Sequence, residues 1–269
     1  MKRKLLSVMC VFCLGSSLVI ERPRSPEVEE IRPGVLAGYL GIDDLPDSVM
    51  LVPPPPELDS FAARHDIAVA EEALASRPER RRQAIEDADV GFPQATLLFT
   101  CALQTKITER DTPNLYRLLR RSRTDAAASV DAAKDRYQRL RPFMVNDAPI
   151  CTPEKQQGLA ANGSYPSGHA AIGWAWALIL AELAPDRADA VFSKGMQIGD
   201  SRIACNVHWR SDVDQGRFVA GAVVARLHGS QEFRADMELA RKEFVRAREA
   251  NPVSDSGCTK SKVDPDSDG

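Results

Sequence analysis

Small or apolar residues return every three or four positions along most of the chain after Ser60. They begin with Ala63, Ile67, Ala70 and Leu74, and charged residues lie between them. This period is that of an amphipathic α-helix, and the alternation of β-branched residues that indicates strands is scarce. With Pro, Gly and Asn taken as joints, the pattern predicts helices over about residues 58–76, 79–88, 94–106, 113–140, 168–183, 186–199 and 211–248.

The segment from Ala170 to Leu183 is apolar on nearly every side until Glu182. A helix of this kind lies in the middle of a bundle or in a membrane. A membrane span needs about 20 apolar residues, and the chain beyond its N-terminus has no second such segment. We therefore predict an all-α, single-domain helical bundle around this buried central helix, with Trp174 and Trp176 in its core and no stable membrane span in the mature protein.

The N-terminus carries Met-Lys-Arg-Lys and then a short uncharged apolar run, which are the two parts of a secretory signal. This pattern predicts a periplasmic or secreted protein, and the alternative is a retained N-terminal anchor. Prolines interrupt the next thirty or so residues, and the C-terminal end lacks apolar periodicity. The predicted organisation is a signal peptide over residues 1–20, an irregular lead-in over 21–50, a folded domain over 51–248 and a disordered tail over 249–269.

Charge is nearly balanced, since 35 Lys and Arg residues stand against 38 Asp and Glu residues and the formal net charge is -3. The field of the whole protein therefore gives no reason to expect a nucleic acid or an anionic membrane as partner. Any specificity for an anion must be local.

The first local candidate is the pair Lys134 and Arg141, just before Pro142. Seven residues are two helical turns, so both cations can point the same way from one helix before the proline ends it. The alternative is a solvated basic face.

The second candidate lies immediately before the central helix. Ser167 is a plausible N-cap, and the backbone N–H groups of Ser167, Gly168 and His169 would then offer an anion site at the positive end of the helix dipole. Gly168 allows close approach of the main chain, and His169 adds a titratable proton. The alternative is an ordinary turn.

The third candidate is the stretch from Arg202 to Asp212. His208 and Asp212 stand at i and i+4, where the carboxylate can accept the N–H of one ring nitrogen and leave the other nitrogen free to attack. Arg202 adds a guanidinium fork that suits a phosphate or a carboxylate. The alternative for the histidine and aspartate is a surface pair.

Taken in order, the three stretches resemble the tripartite signature of the type-2 phosphatidic-acid-phosphatase and vanadium-haloperoxidase superfamily. More narrowly, Asn162-Gly-Ser-Tyr-Pro-Ser-Gly-His169 and His208-Trp-x-Ser-Asp-Val-Asp214 resemble the bacterial class A non-specific acid phosphatases. The resemblance covers about residues 50 to 248. Ala170, Asn206 and Val207 depart from the family pattern without removing a functional group. Val207 is expected to change the wall beside His208, and so to affect substrate preference more than activity.

The resemblance implies an acid phosphatase that hydrolyses a broad range of small-molecule phosphomonoesters through a phosphohistidine, with no cofactor and no metal ion. It implies His208 as nucleophile, Asp212 as its orienting residue, and His169 as general acid and then general base. The phosphoryl oxygens would be held by Lys134, Arg141, Ser167, Gly168 and Arg202. Since one histidine must be protonated and the other free, a bell-shaped pH profile is expected.

Other functions and assemblies stay open. Vanadate mimics pentacoordinate phosphorus, so a vanadate-dependent haloperoxidase is the first alternative, and a non-catalytic phosphate-binding relative is the second. A membrane lipid phosphatase is disfavoured by the lack of spanning segments. Members of the family are often oligomeric, which makes a homo-oligomer possible.

Four cysteines remain after the predicted signal: Cys101, Cys151, Cys205 and Cys258. In an oxidising compartment they permit two disulfides with three possible pairings. None of the four belongs to a Cys-x-x-Cys pair, so the sequence does not indicate a zinc knuckle. Cys151 and Cys205 lie near the candidate motifs, so a bond between them would join two of the phosphate-holding segments. Two buried thiols are the alternative.

Overall fold

The structure is a computed structural model that describes residues 28–254 and residue 258. Its helices are α1 Ser48–Leu51, α2 Phe61–Leu74, α3 Pro78–Glu86, α4 Thr100–Leu103, α5 Pro113–Ala128, α6 Asp131–Tyr137, α7 Phe143–Asn146, α8 Gln156–Ala160, α9 Gly168–Leu183, α10 Ala188–Ala204, α11 Arg210–Gly229 and α12 Gln231–Ala250. Two short strands, β1 Glu30–Arg32 and β2 Val35–Leu36, form an antiparallel pair. The fold is predominantly helical, which confirms the predicted all-α class.

Helix α9 is the central helix that the sequence predicts. It packs mainly against α10 and α11, and also against α5. Ser167 caps it by accepting the N–H of Ala170 at 3.3 Å. Trp176 is buried in the core and donates its indole N–H to the carbonyl of Leu119 at 3.0 Å, whereas Trp174 lies at the edge of the core.

Glycines allow the helices around α9 to approach closely. A Cβ on Gly195 of α10 would overlap the Ala177 side chain, and a Cβ on Gly216 of α11 would overlap the carbonyl oxygen of Ser167. The second contact places α11 directly against the start of α9. This is the end of the bundle at which the three candidate segments meet.

Two helices predicted as continuous are each divided in the structure. The stretch predicted over 113–140 is α5 followed by α6, and α6 ends at Gln138 in the left-handed conformation with φ 42°. The stretch predicted over 211–248 is interrupted at Ser230, whose hydroxyl caps α12 by accepting the Phe233 N–H at 3.3 Å. The region predicted over 94–106 begins with a 3-10 helix, Gln94–Phe99, before α4.

Part of the lead-in is ordered against the bundle. The strands β1 and β2 turn at Gly34, where φ is 79°. Beyond them, Asp125 of α5 accepts the backbone N–H groups of Tyr39 at 3.0 Å and Leu40 at 3.1 Å. The lead-in is therefore fixed to the folded domain by hydrogen bonds from its backbone to the carboxylate of Asp125.

Two disulfides, Cys101–Cys258 and Cys151–Cys205, connect distant segments, so for Cys151 and Cys205 the disulfide alternative is confirmed. Where a disordered tail is predicted from residue 249, α12 continues to Ala250 and the N–H of Val253 donates to the carbonyl of Gln104 at 2.9 Å.

The predicted signal peptide lies outside the described residues. Within the part of the chain that the structure describes, no helix is long and apolar enough to cross a membrane.

Candidate active site

Main-chain hydrogen bonds join the three candidate segments at the start of α9. The N–H of Ser164 donates to the carbonyl of Arg139 at 2.9 Å, and the N–H of Ser167 donates to the carbonyl of Asp212 at 2.9 Å. The N–H of Phe143 donates to the carbonyl of Asn206 at 3.2 Å. These bonds bring together side chains that are up to 78 positions apart in sequence, from Lys134 to Asp212.

His208 is buried and has a defined tautomer. Its Nδ1 lies 3.3 Å from Oδ2 of Asp212, and its Nε2 lies 3.1 Å from Nη1 of Arg141. Because a guanidinium N–H can only donate, Nε2 is the acceptor and the ring proton belongs on Nδ1. The unprotonated nitrogen therefore faces the cationic side of the site.

The turn that presents His208 follows directly from the end of α10. Asn206 adopts a left-handed conformation with φ 59°, which asparagine tolerates better than most residues. Its side-chain amide donates to the carbonyl of Ala148 at 2.9 Å. The next carbonyl, that of Val207, accepts a hydrogen bond from Nη1 of Arg141 at 2.9 Å, so the residues at 206 and 207, where the sequence departs from the family pattern, help to support His208.

Two of the predicted phosphate-holding cations are fixed by main-chain carbonyls. Nζ of Lys134 donates to the carbonyl of Gly163 at 2.6 Å. Nε of Arg141 donates to the carbonyl of Leu159 at 2.7 Å, in addition to its contacts near His208. Both side chains are buried, so the carbonyls hold them in place without neutralising their charge.

Arg202 differs from the other two cations because much of its guanidinium is unsatisfied. The residue is 1% exposed, and its Nε and Nη1 have no hydrogen-bond partner among the described residues. Leaving buried charged donors unpaired is costly. A tetrahedral anion in the site would satisfy them.

Burial lowers the pKa values of all three cations, and repulsion by Arg141 adds to the effect on the other two. Burial, followed by the charge of Arg141, lowers the pKa of Lys134 to about 7 and that of Arg202 to about 10. Burial alone lowers the pKa of Arg141 to about 10, partly offset by Asp212. The site therefore holds more positive charge than its carboxylate balances, which favours a dianion.

Both histidines are kept neutral in the free protein. Burial, followed by Arg141, Lys134 and Arg202, holds the pKa of His208 well below its usual value. Burial, followed by Arg202 and His208, does the same to the pKa of His169. His169 lies in the first turn of α9, with Nε2 3.3 Å from the carbonyl of Ala88.

The start of α9 differs in one respect from the sequence prediction. The N–H of Ser167, expected to face an anion, is already bonded to Asp212, while its Oγ accepts the N–H of Ala170. The backbone N–H groups expected for the anion are thus reduced to those of Gly168 and His169. A Cβ on Gly168 would meet only Val130, at 3.5 Å, so the fold itself does not require glycine there.

Sequence reasoning singled out neither Arg139 nor Asp66, and both lie behind Asp212. Arg139 donates from Nη1 to Oδ1 of Asp212 at 2.5 Å and from Nη2 to Oδ2 of Asp66 at 2.8 Å. One signal could have found Asp66: it stands between Ala63 and Ala70 on the buried face of α2, where a carboxylate needs a partner.

The chain is similar in sequence to proteins that are already known. Residues 124–235, which include all eight residues predicted for the site, match the PAP2 superfamily. A non-specific acid phosphatase of Providencia stuartii is 38% identical over 248 residues, covering 91% of this chain and 99% of that protein. An acid phosphatase of Zymomonas mobilis is 39% identical over 203 residues, covering 75% of this chain and 77% of that protein.

A non-specific acid phosphatase of Salmonella typhimurium is 38% identical over 200 residues, covering 74% of this chain and 80% of that protein. The region matched to the PAP2 superfamily contains the cationic site described above. The similarity spans nearly the whole length of the first relative. This chain therefore belongs to the non-specific acid phosphatase family of the PAP2 superfamily.

Proposed function

We propose that this chain hydrolyses a broad range of phosphomonoesters at acid pH, through a phosphohistidine formed on His208 and without a metal ion. The observation that carries the proposal is the orientation of His208, whose Nε2 lies beside Arg141 while Nδ1 faces Asp212. The names of the relatives support phosphatase activity, and the word non-specific in two of those names supports a broad range.

In the first step, Nε2 of His208 attacks phosphorus and the bond from phosphorus to the ester oxygen breaks. His169 donates its proton to the leaving oxygen. Lys134, Arg141 and Arg202 stabilise the charge on the equatorial oxygens of the transition state. Asp212 stabilises the positive charge that the phosphorylated imidazole ring acquires.

In the second step, water attacks the phosphohistidine and the bond from phosphorus to nitrogen breaks. His169, now neutral, accepts the proton of the attacking water, so the enzyme returns to its starting protonation. The three cations perform the charge stabilisation that a divalent metal performs in other phosphatases. Their positive charge would repel such a metal from the phosphoryl group.

The same site would hold vanadate, which mimics the pentacoordinate phosphorus of the transition state. A vanadate-dependent haloperoxidase is therefore the second candidate, and peroxide-dependent bromination after addition of vanadate tests it.

We also propose a periplasmic or secreted location, because two disulfides are typical of oxidising compartments.

The proposal predicts hydrolysis of p-nitrophenyl phosphate across a range of about pH 4 to 8 that brackets the histidine pKa, with its maximum on the acid side and no loss in excess EDTA. His208→Ala removes the nucleophile and should abolish turnover. Arg202→Ala removes a transition-state donor and should lower kcat by on the order of 10² to 10³. Steady-state kinetics on the purified variants measures both effects.

His228→Ala is the matched control, because His228 lies outside the site and contacts Glu182 at 2.9 Å. It should keep wild-type kinetics. Turnover that EDTA removes, or that survives in His208→Ala, would contradict the proposal. Tight phosphate binding without turnover would indicate the non-catalytic relative instead.

A further inference from the structure

We infer that Asp66 and Arg139 form a positioning pair that holds Asp212 ionised and in place behind the nucleophile His208. Neither residue belongs to the phosphate-holding set. The inference rests on the proposed function, since it assigns to the pair a role in the reaction of His208. It is carried by a continuous series of hydrogen bonds from α2 to the imidazole ring.

The carboxylate of Asp212 uses its two oxygens for different partners. Oδ2 lies 3.3 Å from Nδ1 of His208 and accepts the N–H of Trp209 at 2.8 Å. Oδ1 accepts Nη1 of Arg139 at 2.5 Å. The position of Arg139 therefore determines how the carboxylate is rotated toward the imidazole.

Arg139 is itself held on several sides. Its Nη1 also donates to Oγ of Ser211 at 2.8 Å, and its Nη2 donates to Oδ2 of Asp66 at 2.8 Å. The guanidinium carbon lies 5.5 Å from the ring centroid of Trp209 and 6.0 Å from that of Tyr165. Both terminal nitrogens of Arg139 are thus hydrogen-bonded to protein groups. In this respect Arg139 differs from Arg202, whose Nε and Nη1 have no partner among the described residues.

Asp66 connects this arginine to the helix that carries Asp212. It is 1% exposed, accepts the N–H of Ser211 at 2.8 Å and accepts Oγ of Ser211 at 2.5 Å. Ser211 lies in the first turn of α11, where unpaired N–H groups favour a carboxylate. One aspartate of α2 therefore fixes both Arg139 and the start of α11.

The pair also has an electrostatic role. Asp212 is fully buried, and burial raises its pKa, while the charge of Arg139 is the largest opposing cause. A protonated Asp212 would no longer favour the tautomer of His208 that carries its proton on Nδ1. It would also no longer stabilise a cationic phosphohistidine. The titratable and charged groups that face Asp212 are Arg139, Lys134, Arg141, His208 and Tyr165.

Arg139→Gln removes the positive charge and retains hydrogen-bonding capacity. We expect kcat to fall by roughly 10- to 100-fold, as for the outer partners of metal-bound histidines, while inhibition by inorganic phosphate is unchanged. The acid limb of the profile of kcat against pH should move to higher pH. The reason is that loss of the positive charge of Arg139 makes protonation of Asp212 and His208 easier. Arg139→Lys should restore part of kcat and return the acid limb toward the wild-type position.

Asp66→Asn tests the other end of the pair. It loosens Arg139 but leaves its charge beside Asp212, so kcat should fall while the acid limb does not move to higher pH. The different pH profiles expected for the two variants distinguish positioning from a general loss of stability.

Arg117→Gln is the matched control, since Arg117 makes a similar half-buried ion pair with Asp236 at 2.7 Å, between α5 and α12. It should lower the thermal midpoint and leave the pH profile unchanged. Weaker inhibition by phosphate in Arg139→Gln would show that Arg139 is a phosphate ligand and overturn the inference. A wild-type pH profile in every Arg139 variant would overturn it as well, by showing a merely structural role.

A readout independent of turnover keeps this test separate from that of the proposed function. The chain has 4 histidines, so the imidazole resonances can be followed by NMR. The pKa of His208 should be higher in Arg139→Gln than in the wild type, even if the wild type does not hydrolyse phosphate esters. An unchanged pKa of His208 would count against the pair.

Discussion

In the proposed mechanism, His208 and His169 need opposite protonation states although they share one group of cations. His208 must be neutral to attack, and burial together with Arg141 keeps its pKa low. His169 must carry a proton to the leaving oxygen, yet burial together with Arg202 keeps its pKa low in the free protein. A bound phosphoryl dianion resolves the conflict, because its charge offsets the cations and raises the pKa of His169.

We therefore predict that inorganic phosphate raises the pKa of His169, measured by NMR titration of the imidazole resonances with and without saturating phosphate. In the free protein the ring should stay neutral until well below its usual pKa, and with phosphate it should gain its proton at higher pH. His228, which contacts Glu182 away from the site, is the internal control. A pKa of His169 that stays constant or falls would contradict this account of the acid optimum.

At the scale of single residues, the sequence predicts those whose chemistry is recognisable from their spacing. His208 and Asp212 at i and i+4 are such a case, and the structure brings them together. The N–H of Ser167, which the sequence predicts to face an anion, donates instead to the carbonyl of Asp212, because α11 packs against α9. No local spacing indicates Arg139 either, since its partner Asp66 is 73 residues away.

The central helix α9 positions the site because its first turn carries His169 and its length carries the core. Its bounds follow from the sequence, since Ser167 marks the start and the apolar run ends near Leu183. The division between α5 and α6 does not follow from the helical period. It falls at Ser129 and Val130, which are not interrupted by a proline or a glycine, whereas the left-handed Gln138 marks the later end of α6.

Close packing of α9 against α10 gives a prediction for this pair of helices. A Cβ at Gly195 would overlap the Ala177 side chain and lie 3.1 Å from the carbonyl of Gly173. Gly195→Ala should therefore lower the free energy of unfolding by about 1–3 kcal/mol, the usual cost of overpacking. Urea denaturation monitored by circular dichroism measures the change.

Gly221→Ala in α11 is the matched substitution, because a Cβ there would meet nothing within 4 Å. Alanine should raise the free energy of unfolding by about 0.5–1 kcal/mol at that position, through its higher helix propensity. Equal effects of the two substitutions would contradict the packing described for α9 and α10.

For the whole molecule, the site exists only after three distant segments have assembled. The disulfide Cys151–Cys205 spans 54 residues and joins the region before α8 to the end of α10, just ahead of His208. The sequence supplied the four cysteines but left three pairings open, because pairing depends on which segments meet in space. The bond Cys101–Cys258 likewise joins α4 to a cysteine beyond α12, in the segment for which composition predicts disorder.

The central claim is that His208 carries the phosphoryl group, and trapping that intermediate tests it most directly. Enzyme mixed with a radiolabelled phosphomonoester and quenched in alkaline denaturant should carry label on the His208 peptide that is stable to alkali and lost in acid. His169→Ala should accumulate more label from p-nitrophenyl phosphate, because its leaving group needs little protonation whereas hydrolysis of the intermediate needs the base. His208→Ala should carry none; turnover without trapped label, or acid-stable label on another residue, would contradict the account.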